Sequence, residues 1–131
     1  MADFKKAFDR TAINEGGYTN NPSDRGNWIG KALIGTNKGV SAPVLKDFLG
    51  RTPTVQEMKN LSTDTVRAIF KKSYWDVMQG DKWHDQVKAE HVYDMCINAG
   101  CSAAIKLWQL AIGAPATGKM NKITIDKTNL V

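Results

Sequence analysis

Phe4-Lys5-Lys6-Ala7-Phe8-Asp9-Arg10-Thr11-Ala12-Ile13-Asn14-Glu15-Gly16-Gly17-Tyr18 is the stretch on which the reading of this chain turns. Phe4, Ala7, Phe8 and Ala12 recur at helical spacing, so residues from about 3 to 14 are expected to form a helix with one apolar face. Gly16-Gly17 then ends it, because glycine adopts the left-handed conformation past a helix C-terminus at little cost. Glu15 falls in the last turn, where the helix dipole presents its negative end and disfavours a charged carboxylate. Partial burial against Phe8 or Tyr18 would raise its pKa further. A glutamic acid that keeps its proton near neutral pH is what a general acid requires. A surface glutamate at an unfavourable helix end is the plain alternative.

At 131 residues the chain is expected to form one domain with a core of moderate size. Hydrophobic content of 42% and charged content of 24% fit a soluble globular protein. No apolar run approaches the ~20 residues that span a bilayer. The N-terminus lacks the continuous apolar core of a secretory signal, so the product is expected to be cytoplasmic as synthesised. A target outside the cell would then be reached only after release or export. The net charge of +5 favours polyanionic partners such as nucleic acid, anionic lipid or bacterial cell wall. Its lysines are scattered, with no basic block resembling a nucleic-acid arm, so no nucleic-acid partner is expected. Cys96 and Cys101 match no zinc pattern, and His84 and His91 lie at the wrong spacing to complete one. Two buried free thiols in a reducing compartment are expected, and no metal or cofactor. Both histidines read as surface or satisfied polar residues.

After the first helix, residues 18 to 41 are polar and glycine-rich, which predicts a long loop with a short hairpin around Trp28 to Ile34. Loops of that length in a compact domain are usually functional or disordered, and Trp28, Ile29, Leu33 and Ile34 argue against disorder. Helices follow. Ser41 and Pro43 open one that runs to Gly50. Thr54-Val-Gln-Glu57 is a capping-box pattern for a short helix ending near Leu61. Ser62 or Thr63 opens the longest, with Val66, Ile69, Phe70, Ser73, Tyr74 and Val77 as its buried stripe and Gly80 as its stop. A helix over residues 85 to 99 should bury Val92, Met95, Cys96 and Ala99. Ala103 to Ile112 makes the last, stopped by Gly113 and Pro115. The tail from Ala116 has weak periodicity. The expected fold class is therefore mainly α, with a glycine-rich loop or short hairpin after the first helix.

Asp24 lies nine residues after Glu15, across a turn set by Asn20, Asn21 and Pro22. A carboxylate at a helix end and another on a folded-back loop could flank a glycosidic bond, one as acid and the other activating water or stabilising charge. An Asx-type turn role is the other reading of Asp24. Glu15-Gly16-Gly17-Tyr18 followed by Asn21-Pro22-Ser23-Asp24-Arg25-Gly26-Asn27-Trp28 resembles the opening of the glycoside hydrolase family 108 lysozymes, N-acetylmuramidases of phages and bacteria. The resemblance continues at Gly35-Thr36-Asn37-Lys38-Gly39-Val40-Ser41, at Tyr74-Trp75-Asp76, at Asp94-Met-Cys-Ile-Asn-Ala-Gly100 and at Trp108-Gln-Leu-Ala-Ile-Gly113. It spans residues from about 8 to 113 in one order. Asn21 replaces a common aspartate and Lys38 a common tyrosine, which removes one loop carboxylate and one substrate-lining aromatic.

The resemblance implies a lysozyme-like domain over residues 1-113 and a short tail, 114-131, like the start of a peptidoglycan-binding segment. It implies hydrolysis of the β-1,4 bond between N-acetylmuramic acid and N-acetylglucosamine, with Glu15 as the acid. The cleft would lie between the first helix with its loop and the later helices. Asp24 is expected to position water or stabilise charge, unless it serves only the turn. Thr36 would hold the attacking water or stabilise the loop. Tyr18 and Trp28 either stack on a sugar ring or join the core. Asp94 and Asn98, one helical turn apart, either line the cleft or bond neighbouring backbone. The implied partner is bacterial peptidoglycan, met as a monomer with the help of a holin or other delivery machinery. The rival readings are a non-catalytic wall-binding module and a secretion activator of the same fold.

Overall fold

A computed structural model describes residues 1–12 and 16–131. The chain divides into two compact units, Arg10–Ser73 on one hand and Met1–Asp9 with Tyr74–Val131 on the other. Among the described residues it is mainly α-helical: α1 Phe4–Ala12, α2 Ala42–Leu49, α3 Val55–Lys59, α4 Thr63–Phe70, α5 Gln86–Ala99, α6 Cys101–Ile112 and α7 Lys122–Leu130. None of these helices is long and apolar enough to cross a membrane.

In the Arg10–Ser73 unit, the expected hairpin forms from β1 (Trp28–Ile29) and β2 (Ala32–Leu33), antiparallel with Trp28 opposite Leu33. α2 packs against β1 and the short 3-10 turn before it. Gly50 stops α2 with φ 75°, as its lack of a Cβ permits. Ser41 stands at the N-cap of α2, but its side chain makes no capping bond; Pro43 in the first turn removes one N–H that would otherwise need a partner. The capping box of α3 is complete, with Glu57 N–H donating to Thr54 Oγ1 (3.1 Å) and Thr54 N–H donating to Glu57 Oε1 (3.0 Å). α3 ends at Lys59, two residues short of the expected Leu61.

One expected stripe is wrong beyond Phe70. Val66, Ile69 and Phe70 are buried, but Ser73 and Tyr74 are only half-buried and Val77 is exposed. Trp75 and Met78 are buried in their place. The cause is a π-helical turn over Lys71–Trp75. Its wider i→i+5 geometry inserts one extra residue and moves every later inward position on by one.

The unit formed by Met1–Asp9 and Tyr74–Val131 is built on aromatic rings. Phe4 packs on Phe8 and Trp75 at centroid distances of 5.7 and 5.8 Å, and Trp75 meets Tyr93 edge-on at 5.7 Å. Buried indoles need a partner for their N–H. Trp75 donates to Asp81 Oδ1 and Trp83 to the Met78 carbonyl. On α5 the inward residues are Ala89, Glu90, Val92, Tyr93 and Cys96, whereas Met95 is half-buried and Ala99 exposed, contrary to expectation. α6 starts at Cys101, two residues earlier than its composition suggests. The tail folds as α7, capped by Asn121, whose Oδ1 accepts from Thr124 N–H. Gln109 is fully buried and holds the connection to α7: its Nε2 donates to Thr117, Lys119 and Thr124 oxygens, and its Oε1 accepts from Gly118 N–H.

Cys96 and Cys101 are both free thiols, Cys96 buried and Cys101 half-buried. They hydrogen-bond to each other. That bond, with burial, raises the pKa of Cys96; at Cys101 the same bond lowers the pKa against the opposing effect of burial, so any thiolate forms on Cys101.

Candidate active site

The loop from Tyr18 to Val40 is held by side-chain-to-backbone bonds, as a glycine-rich segment with little regular structure must be. Asn21 Oδ1 accepts from Ser23 N–H (2.9 Å), an Asx turn. Asp24 then caps the 3-10 turn Arg25–Asn27, its Oδ1 accepting from Gly26 N–H at 2.9 Å. An exposed carboxylate anchored at one oxygen is fixed in position while remaining solvated.

The hub of this loop is Asn27, a residue the sequence did not single out. It is fully buried. Its Nδ2 donates to the Asn21 carbonyl (2.9 Å), its Oδ1 accepts from Thr36 Oγ1 (2.6 Å), and its carbonyl accepts from the N–H groups of Ile34 and Gly35. One short amide thereby ties the Asx turn, the hairpin and the Thr36 segment together. Thr36 is half-buried and pairs with Thr19 through two backbone bonds of 2.8 Å. Because its hydroxyl proton is committed to Asn27, Thr36 meets any further partner as an acceptor.

Tyr18 and Trp28 frame the same loop, both half-buried. Tyr18 donates its phenol proton to the Ile34 carbonyl (2.8 Å), and its ring lies over Gly35. A Cβ at Gly35 would stand 2.6 Å from that ring, and φ there is 101°, so glycine is required twice over. Lys59 Nζ sits 5.3 Å from the centre of the Tyr18 ring, a cation on one aromatic face. Trp28 Nε1 donates to the Pro22 carbonyl at 2.8 Å. Asn37 Nδ2 donates to the Met58 and Lys59 carbonyls and Lys38 Nζ to the Leu61 carbonyl, which closes the end of α3. Lys38 thus has a structural role where a tyrosine was the expected residue.

The structure therefore brings together Tyr18, Asp24, Trp28 and Thr36 on one loop. Asp94 and Asn98 belong to the other unit, on one face of α5, Asp94 half-buried and Asn98 exposed. Glu15 lies outside the described residues, and with it the question of its distance from Asp24. Among the described residues, no group of three or more His, Cys, Asp and Glu side chains could hold a metal ion. The signal that could have found Asn27 is its place three residues after a turn-forming aspartate and beside a half-buried tryptophan, but burial itself has no sequence mark in a loop.

A search of curated protein sequences finds no match. Among solved structures, SagA of Brucella abortus is similar, with a TM-score of 0.84 and 26% identity over 98% of this chain and 69% of that one. The sequence profile described as glycosyl hydrolase 108 matches residues 8–100. That match takes in Glu15-Gly16-Gly17-Tyr18, the whole loop and the Asp94–Gly100 stretch, and it covers most of the chain, which belongs to glycosyl hydrolase family 108.

Proposed function

We propose that this chain is a peptidoglycan hydrolase that cleaves the β-1,4 bond between N-acetylmuramic acid and N-acetylglucosamine. The observation that carries the reading is the family match over residues 8–100, which holds a carboxylic acid next to a glycine pair and a rigid loop with a second carboxylate. Glu15 is the general acid: it protonates the glycosidic oxygen as positive charge builds on the departing sugar ring. Asp24, anchored by Gly26 N–H, offers a fixed negative charge to that developing cation. A group already in place needs no reorganisation at the moment of reaction. Thr36, with its own proton given to Asn27, accepts a bond from the attacking water, whose oxygen bonds the sugar carbon while the proton it sheds passes to the Asp24 carboxylate.

The test is turbidity loss on purified cell walls, with mass spectrometry of the released ends. N-acetylmuramic acid at the new reducing ends is the expected product; N-acetylglucosamine there would overturn the choice of bond. Glu15→Gln keeps the shape but supplies no proton, so lysis should fall by orders of magnitude. Retention of more than about a tenth of the activity, a barrier change under ~1.4 kcal/mol, would remove Glu15 from its role. Wall binding by the wild-type chain without any lysis would instead identify a non-catalytic wall module.

A further inference from the structure

The net charge of +5 is not spread over the molecule. The Arg10–Ser73 unit contains ten Lys and Arg against five Asp and Glu, whereas the unit of Met1–Asp9 and Tyr74–Val131 contains eight of each. All of the excess positive charge therefore belongs to the unit that carries the Tyr18–Val40 loop. Within it, Arg51 is taken up by a bidentate pair with Glu57 (2.8 and 2.6 Å), and Arg67 by Asp64 (2.9 Å). Three exposed cations on or against the loop have no such carboxylate among the described residues. Arg25 follows Asp24 directly, Lys31 is at the tip of the hairpin beside Gly30, and Lys59 stands over the Tyr18 ring.

We propose that Arg25, Lys31 and Lys59 form a docking surface for the carboxylate-bearing peptide stems of peptidoglycan, beside the loop that acts on its glycan strand. The proposal rests on peptidoglycan being the substrate. A glycan strand is neutral along its sugars, so cations at its binding loop have nothing to pair with unless the stems supply it. Stems project repeatedly from the strand, and three cations carried on the 3-10 turn, the hairpin tip and the end of α3 suit a partner with spaced charges better than one compact anion. Lys59 is well placed for this, because an ammonium resting on an aromatic face still has N–H groups on its far side to donate to a carboxylate. A cluster of one sign also raises the local concentration of an anionic polymer through long-range attraction, which salt screens over ~10 Å at 0.1 M.

The experiment compares two charge-matched triple variants with the wild-type chain. One carries Arg25→Gln, Lys31→Gln and Lys59→Gln; the other carries Lys106→Gln, Lys119→Gln and Lys127→Gln in the electrically balanced unit. Each is assayed for half-saturating wall concentration at low and physiological salt. The substrates are cell walls stripped of attached anionic polymers, and the same walls with their stem amines acetylated and their stem carboxylates capped as neutral amides by a carbodiimide and methylamine. The loop variant should need about tenfold more intact wall at low salt and lose most of its salt dependence, while the control variant behaves as wild type. On the neutralised walls all three should coincide. Equal losses in both variants, or a loop variant like wild type on intact wall, would overturn the proposal. So would an equal deficit of the loop variant on the neutralised walls, because the cations would then serve the sugars or the fold. Arg25→Lys with Lys31→Arg and Lys59→Arg should restore affinity. Absence of lysis by the wild-type chain on either substrate would strike at the hydrolase reading and not at the docking surface, which sedimentation with intact walls still reads.

Discussion

Asn27→Ala tests whether one buried amide organises the candidate loop. The substitution removes two side-chain bonds, Nδ2 to the Asn21 carbonyl at 2.9 Å and Oδ1 from Thr36 Oγ1 at 2.6 Å, and leaves the backbone bonds to Ile34 and Gly35 in place. Each bond contributes about 1 kcal/mol net. Asn21 is exposed, so its carbonyl recovers water at little cost, but the Asn27 site is fully buried and the missing amide leaves a small void. A loss of about 2–3 kcal/mol follows, or roughly 8–12 °C in Tm for a chain of this size. The assay is a double-mutant cycle by urea unfolding with Thr36→Val, which keeps the shape of Thr36 and deletes its hydroxyl. If the bond between Thr36 and Asn27 organises the loop, the two losses should overlap by about 1 kcal/mol in the double variant. Additivity within about 0.3–0.5 kcal/mol would refute the reasoning, since the two groups would then contribute independently. Thr36→Val also bears on the mechanism: as an acceptor for water it should lower kcat with little change in KM.

Three further outcomes are expected. Gly80→Ala drives a Cβ into the fully buried Trp75 ring, which has no room to withdraw, so it should destabilise by about 3 kcal/mol in thermal unfolding; an unchanged Tm would discredit that packing. Glu57 is held at a pKa of about 2, first by its bond from Arg51 and then by the Thr54 N–H. A lowered carboxylate pKa stabilises the fold above its ordinary value of 4.5 and loses that effect as pH falls towards 2. The stability difference between wild type and Glu57→Gln should therefore be constant above about pH 5 and shrink below it, and a difference independent of pH would contradict the pairing. Cys101, half-buried and the carrier of any thiolate, should be alkylated before Cys96, which peptide mapping after a short iodoacetamide pulse would read.

Where the controlling interactions lie within a few residues, sequence and structure agree. The capping box of Thr54 and Glu57 needs only a four-residue span, and both of its bonds are present. Gly50 and Gly113 stop their helices with positive φ because the steric cost of any other residue there is local. The hairpin around Trp28 to Ile34 follows from β-forming residues on either side of Gly30, whose φ is 56°. The family, too, was legible, because its motifs are short runs that survive without any knowledge of packing.

Other features depended on contacts that no window of sequence contains. The amphipathic stripe after Ser62 reads smoothly through to Val77, yet a π-helical turn at Lys71–Trp75 shifts it so that Trp75 and Met78 are buried. The gain from burying two large side chains outweighs the regular spacing. α7 has a weak pattern by itself and is anchored by Asn121, by the Gln109 bonds to the preceding connection, and by Thr128, which accepts from Trp108 Nε1. Asn27 looks like any polar loop residue until the chain folds back to bring Thr36 to its side chain. Likewise, the lysines look scattered along the sequence, and only the division into two units shows that their excess charge belongs to the one that carries the loop. Short-range sterics and capping thus determined the turns and the capped helix ends, and short motifs the family, whereas tertiary packing decided which polar groups are buried, which aromatics face inward and where the charge is concentrated, because those depend on neighbours distant in the chain.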